Sequence, residues 1–300
     1  MSNSTMSRRT FAAALGLASV AGLGLLSGCG SSTETTEETA EEAAGTETAE
    51  TETAEGDGAA EETAETEASE DEPVLIEEGK VIVGSDCDYP PFTTLDGDQA
   101  SGFEYDIMCA VCDEIGLECE YHTPLKFDTL VAAVAAGGTI DVAVSAITIT
   151  EERKEEVDFT DPYFDSNQSV TVLKDSGYTS SADLKGKNIA VQSGTTGEAW
   201  AKENIADATV TAFDEAPAAF AALQANKADA VIVDLPVAVE MLNGSYDSCT
   251  IIEEVATGEQ YGIAVAKTNP GLTKLLNQGL SAIRESGKYQ EIYDNYFSVK

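Results

Sequence analysis

The sequence predicts an α/β protein of two similar lobes, each a mostly parallel sheet flanked by helices. From Val74 onward, short β-branched runs alternate with helical patterns, which is typical of parallel strands joined by helices. Two phrases also occur twice in this part of the chain. KVIVGSD (80–86) is matched by KNIAVQSG (187–194), and GGTIDVAVSAIT (137–148) is matched by ANKADAVIVDLP (225–236). In the second pair a helix ends at Gly or Asn and an apolar strand begins at Asp, as in an αβ connection.

The N-terminal segment predicts export. Residues 7–30, SRRTFAAALGLASVAGLGLLSGCG, have a basic start, an apolar stretch and small residues at the end. The tetrapeptide LSGC (26–29) resembles a bacterial lipobox, which implies that residues 1–28 are a signal peptide and that the thiol of Cys29 is lipidated. An uncleaved anchor helix is the alternative, although the segment is short for a membrane span. Residues 7–11 also resemble a twin-arginine signal, so the export route stays open.

The next segment, 29–72, predicts a disordered acidic tether. Residues 31–72 contain 17 acids and no Lys or Arg, with Thr, Ala and Gly between them. Such a composition buries too little apolar surface to offset the entropy lost on ordering. Like charges along the segment would extend it and hold the folded part away from the membrane. A helix or an acidic cation-binding tail is the alternative.

Charge excludes several classes of partner. The chain carries a net charge of −39, and residues 73–300 alone hold 38 acids against 14 Lys and Arg. Nucleic acid and anionic lipid both require a basic face, so neither is an expected ligand.

Four polar loops follow the predicted strands: 85–92, 145–153, 193–198 and 234–237. In open α/β sheets, ligands bind in the crevice beyond the carboxyl ends of the strands. The sequence therefore predicts one binding site between two lobes that face each other.

Arg153 lies on one wall of this predicted cleft. Beyond Cys29 the chain contains two arginines, Arg153 and Arg284, and Arg153 follows the hydroxyl-rich run VSAITITEER (144–153). Thr150 is predicted to cap the helix that begins there. On these residues alone, a surface side chain paired with its glutamate neighbours is the favoured interpretation of Arg153.

Five segments resemble the extracellular amino-acid-binding proteins of ABC importers, solute-binding protein family 3. They are GSDCDYPPF (84–92), GFEYDI (102–107), IDVAVSAITITEERKEEVDFTDPYF (140–164), ADLKGKNIAVQSGTTGEAW (182–200) and ADAVIVD (228–234). The resemblance implies a type 2 periplasmic-binding-protein fold. The first lobe would comprise residues 78–169 and 268–300, the second residues 170–267, with two hinge strands near 170–174 and 261–267.

The resemblance also assigns roles to the residues of the cleft. Arg153 matches the arginine that binds the α-carboxylate with two hydrogen bonds, a geometry that lysine reproduces poorly. Thr148 and Ser145 match groups that meet the carboxylate and the α-ammonium, and Asp234 matches the acid that pairs with the ammonium. The complete set of predicted ligand-binding residues is Asp86, Tyr89, Glu104, Phe127, Ser145, Ala146, Thr148, Arg153, Gly194, Thr195, Thr196 and Asp234.

Within that set, three groups have distinct chemistry. Gly194, Thr195 and Thr196 lie at a predicted helix start, where free N–H groups favour a carboxylate. Tyr89 and Phe127 match the aromatic residues that enclose the ligand side chain. Asp86 and Glu104 match positions near that side chain, and their charge disfavours acidic ligands. Lys126 would reverse this preference if it faced inward.

The implied function is binding without catalysis. The protein would capture a free amino acid, polar or cationic rather than acidic, and deliver it to the permease and ATPase subunits of an ABC importer. We expect a monomer without a cofactor or metal, held at the cell surface or in the periplasm by lipidated Cys29. The alternative is an enzyme on the same fold, such as a cyclohexadienyl or arogenate dehydratase, with Glu104 or Asp86 as a lone general acid. The sole histidine, His122, fits a structural or surface role.

Five cysteines follow Cys29 in the chain: Cys87, Cys109, Cys112, Cys119 and Cys249. The spacing of Cys109, Cys112, Cys119 and His122 resembles a zinc site, although residues 119 and 122 would point to opposite faces of a strand. Zinc, one disulfide and reduced thiols all stay open.

Overall fold

The computed structural model describes residues 72–122 and 124–298. The predicted signal peptide (1–28), Cys29 and the predicted tether up to residue 71 lie outside these residues. Within the described part of the chain, none of the helices combines the length and the apolar character needed to cross a bilayer.

The described residues form an alternating series of strands and helices. The strands are β1 (Lys80–Gly84), β2 (Asp88–Tyr89), β3 (Thr93–Asp96), β4 (Gln99–Ser101), β5 (Glu118–His122), β6 (Val142–Ala143), β7 (Val157–Phe159), β8 (Phe164–Leu173), β9 (Asn188–Gln192), β10 (Thr209–Phe213), β11 (Ala230–Asp234), β12 (Cys249–Tyr261) and β13 (Ala264–Ala266). The α-helices are α1 (Phe103–Ile115), α2 (Leu130–Ala136), α3 (Glu151–Glu156), α4 (Thr196–Asn204), α5 (Ala216–Gln224), α6 (Leu235–Asn243), α7 (Pro270–Glu285) and α8 (Lys288–Phe297). Short 3₁₀ helices span Phe127–Thr129 and Ser181–Leu184.

Two five-stranded sheets organise the chain, as the predicted α/β fold of two lobes requires. The sheet of the first lobe has the order β5-β1-β6-β13-β7, and the sheet of the second lobe has the order β10-β9-β11-β8-β12. In the first sheet, β1 is parallel to both β5 and β6. In the second, β9 is parallel to both β10 and β11. A small antiparallel sheet of β2, β3 and β4 follows β1.

The repeated phrases of the sequence occupy equivalent places in the two sheets. KVIVG forms β1 and NIAVQ forms β9, each the middle strand of a parallel triplet. The second pair of phrases forms β6 and β11. These strands are apolar on both faces because helices cover both sides of a parallel sheet: Val81, Ile82 and Val83 are at most 2% exposed.

The chain changes sheet twice, and the two crossings are hydrogen-bonded to each other. It leaves β7 in the first sheet and enters β8 in the second, then returns from β12 to β13. The amide N–H of Thr160 donates to the carbonyl of Ile263 at 3.0 Å, and that of Tyr163 donates to the carbonyl of Tyr261 at 2.9 Å. The crossings therefore form a paired hinge next to the predicted cleft.

Strand pairing bears on the lobe bounds that the sequence predicted. β8 pairs in the second sheet from Phe164, and β13 pairs in the first sheet from Ala264. The predicted bounds, at residues 169/170 and 267/268, stay a prediction, and the strand pairing favours bounds a few residues earlier in each case. The reason is that Phe164–Leu173 is one long strand with its own pairing, whereas the sequence pattern showed only its apolar second half. We therefore propose crossings at 160–163 and 262–263.

An aromatic cluster packs beneath the hinge. The ring of Phe92 lies 4.9 Å from that of Phe164 and 5.3 Å from that of Tyr261, both edge to face. Phe297, at the end of α8, completes the contact at 5.7 Å from Phe92. Rings in these arrangements bury large apolar areas and restrict one another. The cluster therefore packs rigidly against the hinge, and the hydroxyl of Tyr261 reaches from it to the predicted site.

Candidate functional site

Eight predicted site residues line one small space between the lobes, with a volume of about 10 Å³. They are Tyr89, Phe127, Ala146, Thr148, Arg153, Thr195, Thr196 and Asp234. All except Phe127, which begins a 3₁₀ helix, come from the four polar loops or from the residues that follow them directly. The expectation that the carboxyl ends of the strands of both lobes meet at one place is therefore fulfilled.

The guanidinium of Arg153 spans the cleft. Thr150 caps α3, since its side-chain oxygen accepts the N–H of Arg153 at 3.2 Å, so the side chain of Arg153 begins one turn above the loop. Its Nη1 donates to the carbonyl of Thr148 in the first lobe at 2.7 Å, and its Nη2 donates to the carbonyl of Gly194 in the second at 3.0 Å. Its Cζ lies 5.5 Å from the centroid of the Phe127 ring. Arg153 thus points into the cleft, in contrast to the surface alternative.

Burial sets the electrostatics of this arginine. It lowers the pKa of Arg153 from its ordinary value, while the charges of Asp234 and Glu259 act in the opposite direction. A guanidinium stays charged under such shifts because its ordinary pKa lies far above neutrality. The cavity wall therefore presents a half-buried cation, which is a strong partner for a carboxylate.

Asp234 supplies the opposite charge at the end of β11. It is 4% exposed, and its Oδ2 accepts the hydroxyls of Tyr89 at 2.8 Å and Tyr261 at 2.7 Å. Its Oδ1 accepts the side-chain amide of Gln168. Burial, followed by the charge of Glu259, raises the pKa of Asp234 to about 7, against the effect of these hydrogen bonds. An arriving cation would favour its ionised form.

Glu259 is a residue of this site that sequence reasoning missed. It lies near the end of β12, opposite Ser166 of β8, and its Oε2 accepts the hydroxyls of Thr148 at 3.0 Å and Thr196 at 2.9 Å. The side-chain nitrogen of Gln168 is 3.2 Å from both of its oxygens. An acid in a strand that alternates exposed and half-buried residues has the pattern of a surface residue. Only its position at the second crossing, next to Tyr261, could have identified it.

Three of the predicted residues lie behind the cavity wall and support it. Asp86 accepts the hydroxyl of Ser145 at 2.7 Å and the side-chain amide of Gln192, from the second lobe, at 2.9 Å. Glu104, fully buried at the start of α1, accepts the N–H of Ala146 at 2.7 Å and the hydroxyl of Tyr163. Burial raises the pKa of Asp86, and it raises the pKa of Glu104 to about 7.

These contacts explain how the 145–148 loop keeps its shape. Ala146 has φ 48°, in the left-handed region that costs a non-glycine residue about 1–2 kcal/mol. Glu104 holds its amide, and Asp86 holds the hydroxyl of the preceding Ser145. The predicted role of Asp86 and Glu104 at the ligand side chain stays a prediction, because in the structure they contact the wall of the cavity.

On the side of the second lobe, Thr195 caps α4 by accepting the N–H of Glu198 at 3.2 Å. Glu198 in turn accepts the N–H of Gly194 at 2.8 Å, so one of the amides expected to face a carboxylate already has a partner. Gly194 has φ +75°, and a Cβ there would lie 2.9 Å from the Cβ of Asp128 across the cleft. Glycine is therefore required for the lobes to approach here.

Lys126 points away from the cavity. Its side chain is 62% exposed, and its Nζ pairs with Asp214 of the second lobe at 2.5 Å. The open question of its direction is thereby answered in favour of solvent. His122 is half exposed and pairs with Glu120 at 3.2 Å on the surface of β5.

Three of the cysteines meet where α1 packs on β5. The thiols of Cys109 and Cys112 both hydrogen bond to that of Cys119, and these contacts raise the pKa of Cys119. Cys249 is buried in β12. Within residues 72–122 and 124–298, no group of three acids, cysteines or histidines has the geometry of a metal site.

Known proteins resemble this chain along most of its length. The model of the bacterial extracellular solute-binding proteins, family 3, matches residues 81–299. The chain is 30% identical over 226 residues to the L-cystine-binding protein TcyJ of Escherichia coli (strain K12), which covers 74% of this chain and 84% of TcyJ. It is 33% identical over 224 residues to ABC transporter arginine-binding protein 1 of the same strain, which covers 73% of this chain and 90% of that protein.

A solved structure agrees with these relatives. An ancestral arginine-binding protein bound to arginine matches with a TM-score of 0.69 at 37% identity, covering 73% of this chain and 99% of that chain. All three are named as binding proteins, in agreement with the expectation of a binding protein rather than an enzyme. The chain therefore belongs to the bacterial extracellular solute-binding proteins of family 3, the amino-acid-binding proteins of ABC transporters.

Proposed function

We propose that this protein captures a free L-amino acid between its lobes, with a polar or cationic side chain preferred over an acidic one. The observation that carries the proposal is the placement of Arg153 and Asp234 around one small cavity, so that a cation and an anion are available to one ligand. A zwitterionic α-amino acid offers the matching pair, a carboxylate and an ammonium a few ångströms apart.

The ligand carboxylate would bind Arg153, whose Nη1 and Nη2 now donate to the carbonyls of Thr148 and Gly194. The ammonium would lie near Asp234, whose carboxylate is held in place by Tyr89 and Tyr261. Buried charge pairs of this kind contribute strongly to affinity because each partner is already desolvated and oriented.

The preference for a polar or cationic side chain follows from the charges around the cavity. Four acids, Asp86, Glu104, Asp234 and Glu259, hydrogen bond to its wall or lie on it, whereas Arg153 is the one cation among the described residues that line it. A zwitterion adds no net charge, so a cationic side chain would favour the ionised forms of these acids and an acidic one would oppose them. The three proteins compared above are named for cystine or arginine, neither of which is an acidic amino acid.

We further propose that the loaded protein delivers its ligand to the permease and ATPase subunits of an ABC importer. The names of the relatives support this partner, and the lipobox-like LSGC (26–29) supports anchoring through a lipid on Cys29 at the cell surface or in the periplasm. We also propose that the protein acts as a monomer.

A thermal-shift screen of the chain from Cys29 onward, with Cys29→Ser, against the twenty amino acids tests the proposal. We expect stabilisation by a chemically related group that excludes glutamate and aspartate, with the ligand recovered unchanged. Stabilisation by none of the twenty, and none by L-cystine screened beside them, would refute amino-acid binding. A shift with glutamate alone would refute the preference, and conversion of the ligand would favour the dehydratase alternative.

A further inference from the structure

Two hydroxyls of the cavity wall act as hydrogen-bond donors in a fixed direction in the structure. Thr148 lies in the first lobe and Thr196 begins α4 in the second, and both line the cavity. Each hydroxyl donates its proton to the same oxygen, Oε2 of Glu259, at 3.0 Å and 2.9 Å respectively. One acid of the hinge thus holds one hydroxyl from each lobe.

The chemistry of the groups determines the direction of these hydrogen bonds. An ionised carboxylate only accepts, and a threonine hydroxyl has one proton to donate. With its proton directed to Glu259, each hydroxyl can present only its lone pairs to a ligand. The oxygen of Thr196 also accepts the side-chain amide of Gln168 at 3.3 Å, which directs its proton towards Glu259 still more firmly.

Gln168 also holds Glu259 in place. It is 1% exposed, and its side-chain nitrogen contacts Asp234 and both oxygens of Glu259. Its amide oxygen is buried and has no hydrogen-bond partner among the described residues. An amide that leaves its own oxygen unpaired in order to direct N–H groups at two carboxylates indicates that the orientation is set by their charge.

We propose that Glu259 is a positioning residue that turns Thr148 and Thr196 into hydrogen-bond acceptors and so makes this wall of the cavity selective for the α-ammonium of the ligand. The inference rests on the proposed function and deepens it, because it explains how the site distinguishes an amino acid from the corresponding acid without the amine. A ligand carboxylate would be repelled by the lone pairs of these hydroxyls and would bind Arg153 instead. The orientation of the ligand is therefore fixed as well.

The test compares L-arginine with 5-guanidinopentanoic acid, which is arginine without its α-ammonium, by isothermal titration of the purified protein. If another amino acid is bound more tightly in the screen, that amino acid and its own des-amino acid serve as the probes. In Glu259→Gln the new side-chain amide can donate, so the two hydroxyls are free to turn round. We expect the ratio of the two affinities to fall by roughly tenfold or more, the effect of losing oriented, charge-assisted hydrogen bonds.

Two further variants separate positioning from a structural role. Glu254→Gln removes the same charge from an exposed position of β12, where Glu254 accepts the side-chain amide of Asn167 at 2.9 Å, and should leave the ratio unchanged. In a Thr148→Val, Thr196→Val background, Glu259→Gln should change the ratio by less than threefold, since no hydroxyls remain to be oriented.

The outcomes distinguish the inference from the function on which it rests. A wild-type protein that binds neither L-cystine nor any of the twenty amino acids would overturn the proposed function and the inference together. If the wild-type protein binds, two results would overturn the inference alone. One is that Glu259→Gln weakens the binding of both probes equally. The other is that Glu259→Gln changes the ratio of affinities as strongly in the Thr148→Val, Thr196→Val background as in the wild-type background.

Discussion

Removal of the Arg153 guanidinium should abolish ligand binding and leave the fold nearly intact. In Arg153→Ala the structure loses two hydrogen bonds to neutral carbonyls, of Thr148 and Gly194. Each contributes about 1 kcal/mol net, partly offset because a desolvated charge no longer has to be buried. With that offset the net loss is about 1 kcal/mol, which for a domain of this size corresponds to a decrease in melting temperature of roughly 2–4 °C.

The effect on binding should be far larger, because the ligand carboxylate would lose its only cationic partner on the cavity wall described here. Truncating one member of a buried charge pair costs about 2–5 kcal/mol, which is a decrease in affinity of roughly 30-fold to several thousandfold. Arg153→Lys keeps the charge without the two-pronged geometry and should lie between wild type and Arg153→Ala.

Isothermal titration and thermal melting of the same preparations provide the two readouts. Lys154→Ala is the matched control, since Lys154 is the next cation of α3 and pairs with Glu151 on the surface at 2.9 Å. Affinity of Arg153→Ala within a few-fold of wild type would refute the role of the guanidinium, and so would an equal loss in Lys154→Ala.

Three further predictions follow from the buried acids and the glycine of the cleft. Because the pKa of Asp234 is raised to about 7, affinity for the amino acid should increase by up to tenfold per pH unit between pH 5.5 and 7 and then level off, and titrations of Asp234→Asn should show weak binding without that slope. The pKa of Glu104 is raised from 4.5 to about 7, so the folded state binds this proton more tightly than the unfolded state. The contribution of Glu104 to stability is therefore largest below about pH 4.5 and is lost as the pH rises to 7. In denaturant melts, the free energy of unfolding of Glu104→Gln should lack this decrease of roughly 3 kcal/mol between pH 4.5 and 7. Gly194→Ala should weaken binding roughly tenfold by calorimetry, since its Cβ would lie 2.9 Å from that of Asp128 and φ +75° disfavours alanine, whereas Gly186→Ala, also at positive φ but with open space around its Cβ, should leave affinity unchanged.

The sequence predicted those features that depend on periodicity and on residue order. An apolar run followed by a polar turn identifies each of the strands β1, β6, β9 and β11. The internal repeat predicts that β1 and β9 occupy equivalent places in the two sheets, and likewise β6 and β11. Since ligand sites in such sheets lie at the carboxyl ends of strands, the loops at Thr148, Gly194 and Asp234 followed from the same pattern.

What the sequence did not predict depends on contacts between distant segments. Glu259 joins the site because β12 pairs with β8 up to the hinge, and nothing in its own neighbourhood distinguishes it from the exposed acids of that strand. The hydrogen bond from the amide of Ala146 to Glu104 also depends on the depth at which α1 packs, which the sequence pattern does not show. The pairing of Phe164 with Tyr261 is likewise decided by the contact between the two crossings and not by local propensity.

A crystal structure of the protein with the amino acid that stabilises it most would test the central claim most directly. The account predicts that the ligand lies in the cavity with its carboxylate within hydrogen-bond distance of both Nη1 and Nη2 of Arg153, and with its ammonium facing Asp234 and the oxygens of Thr148 and Thr196. A carboxylate bound away from Arg153, or a ligand outside the cleft, would contradict it.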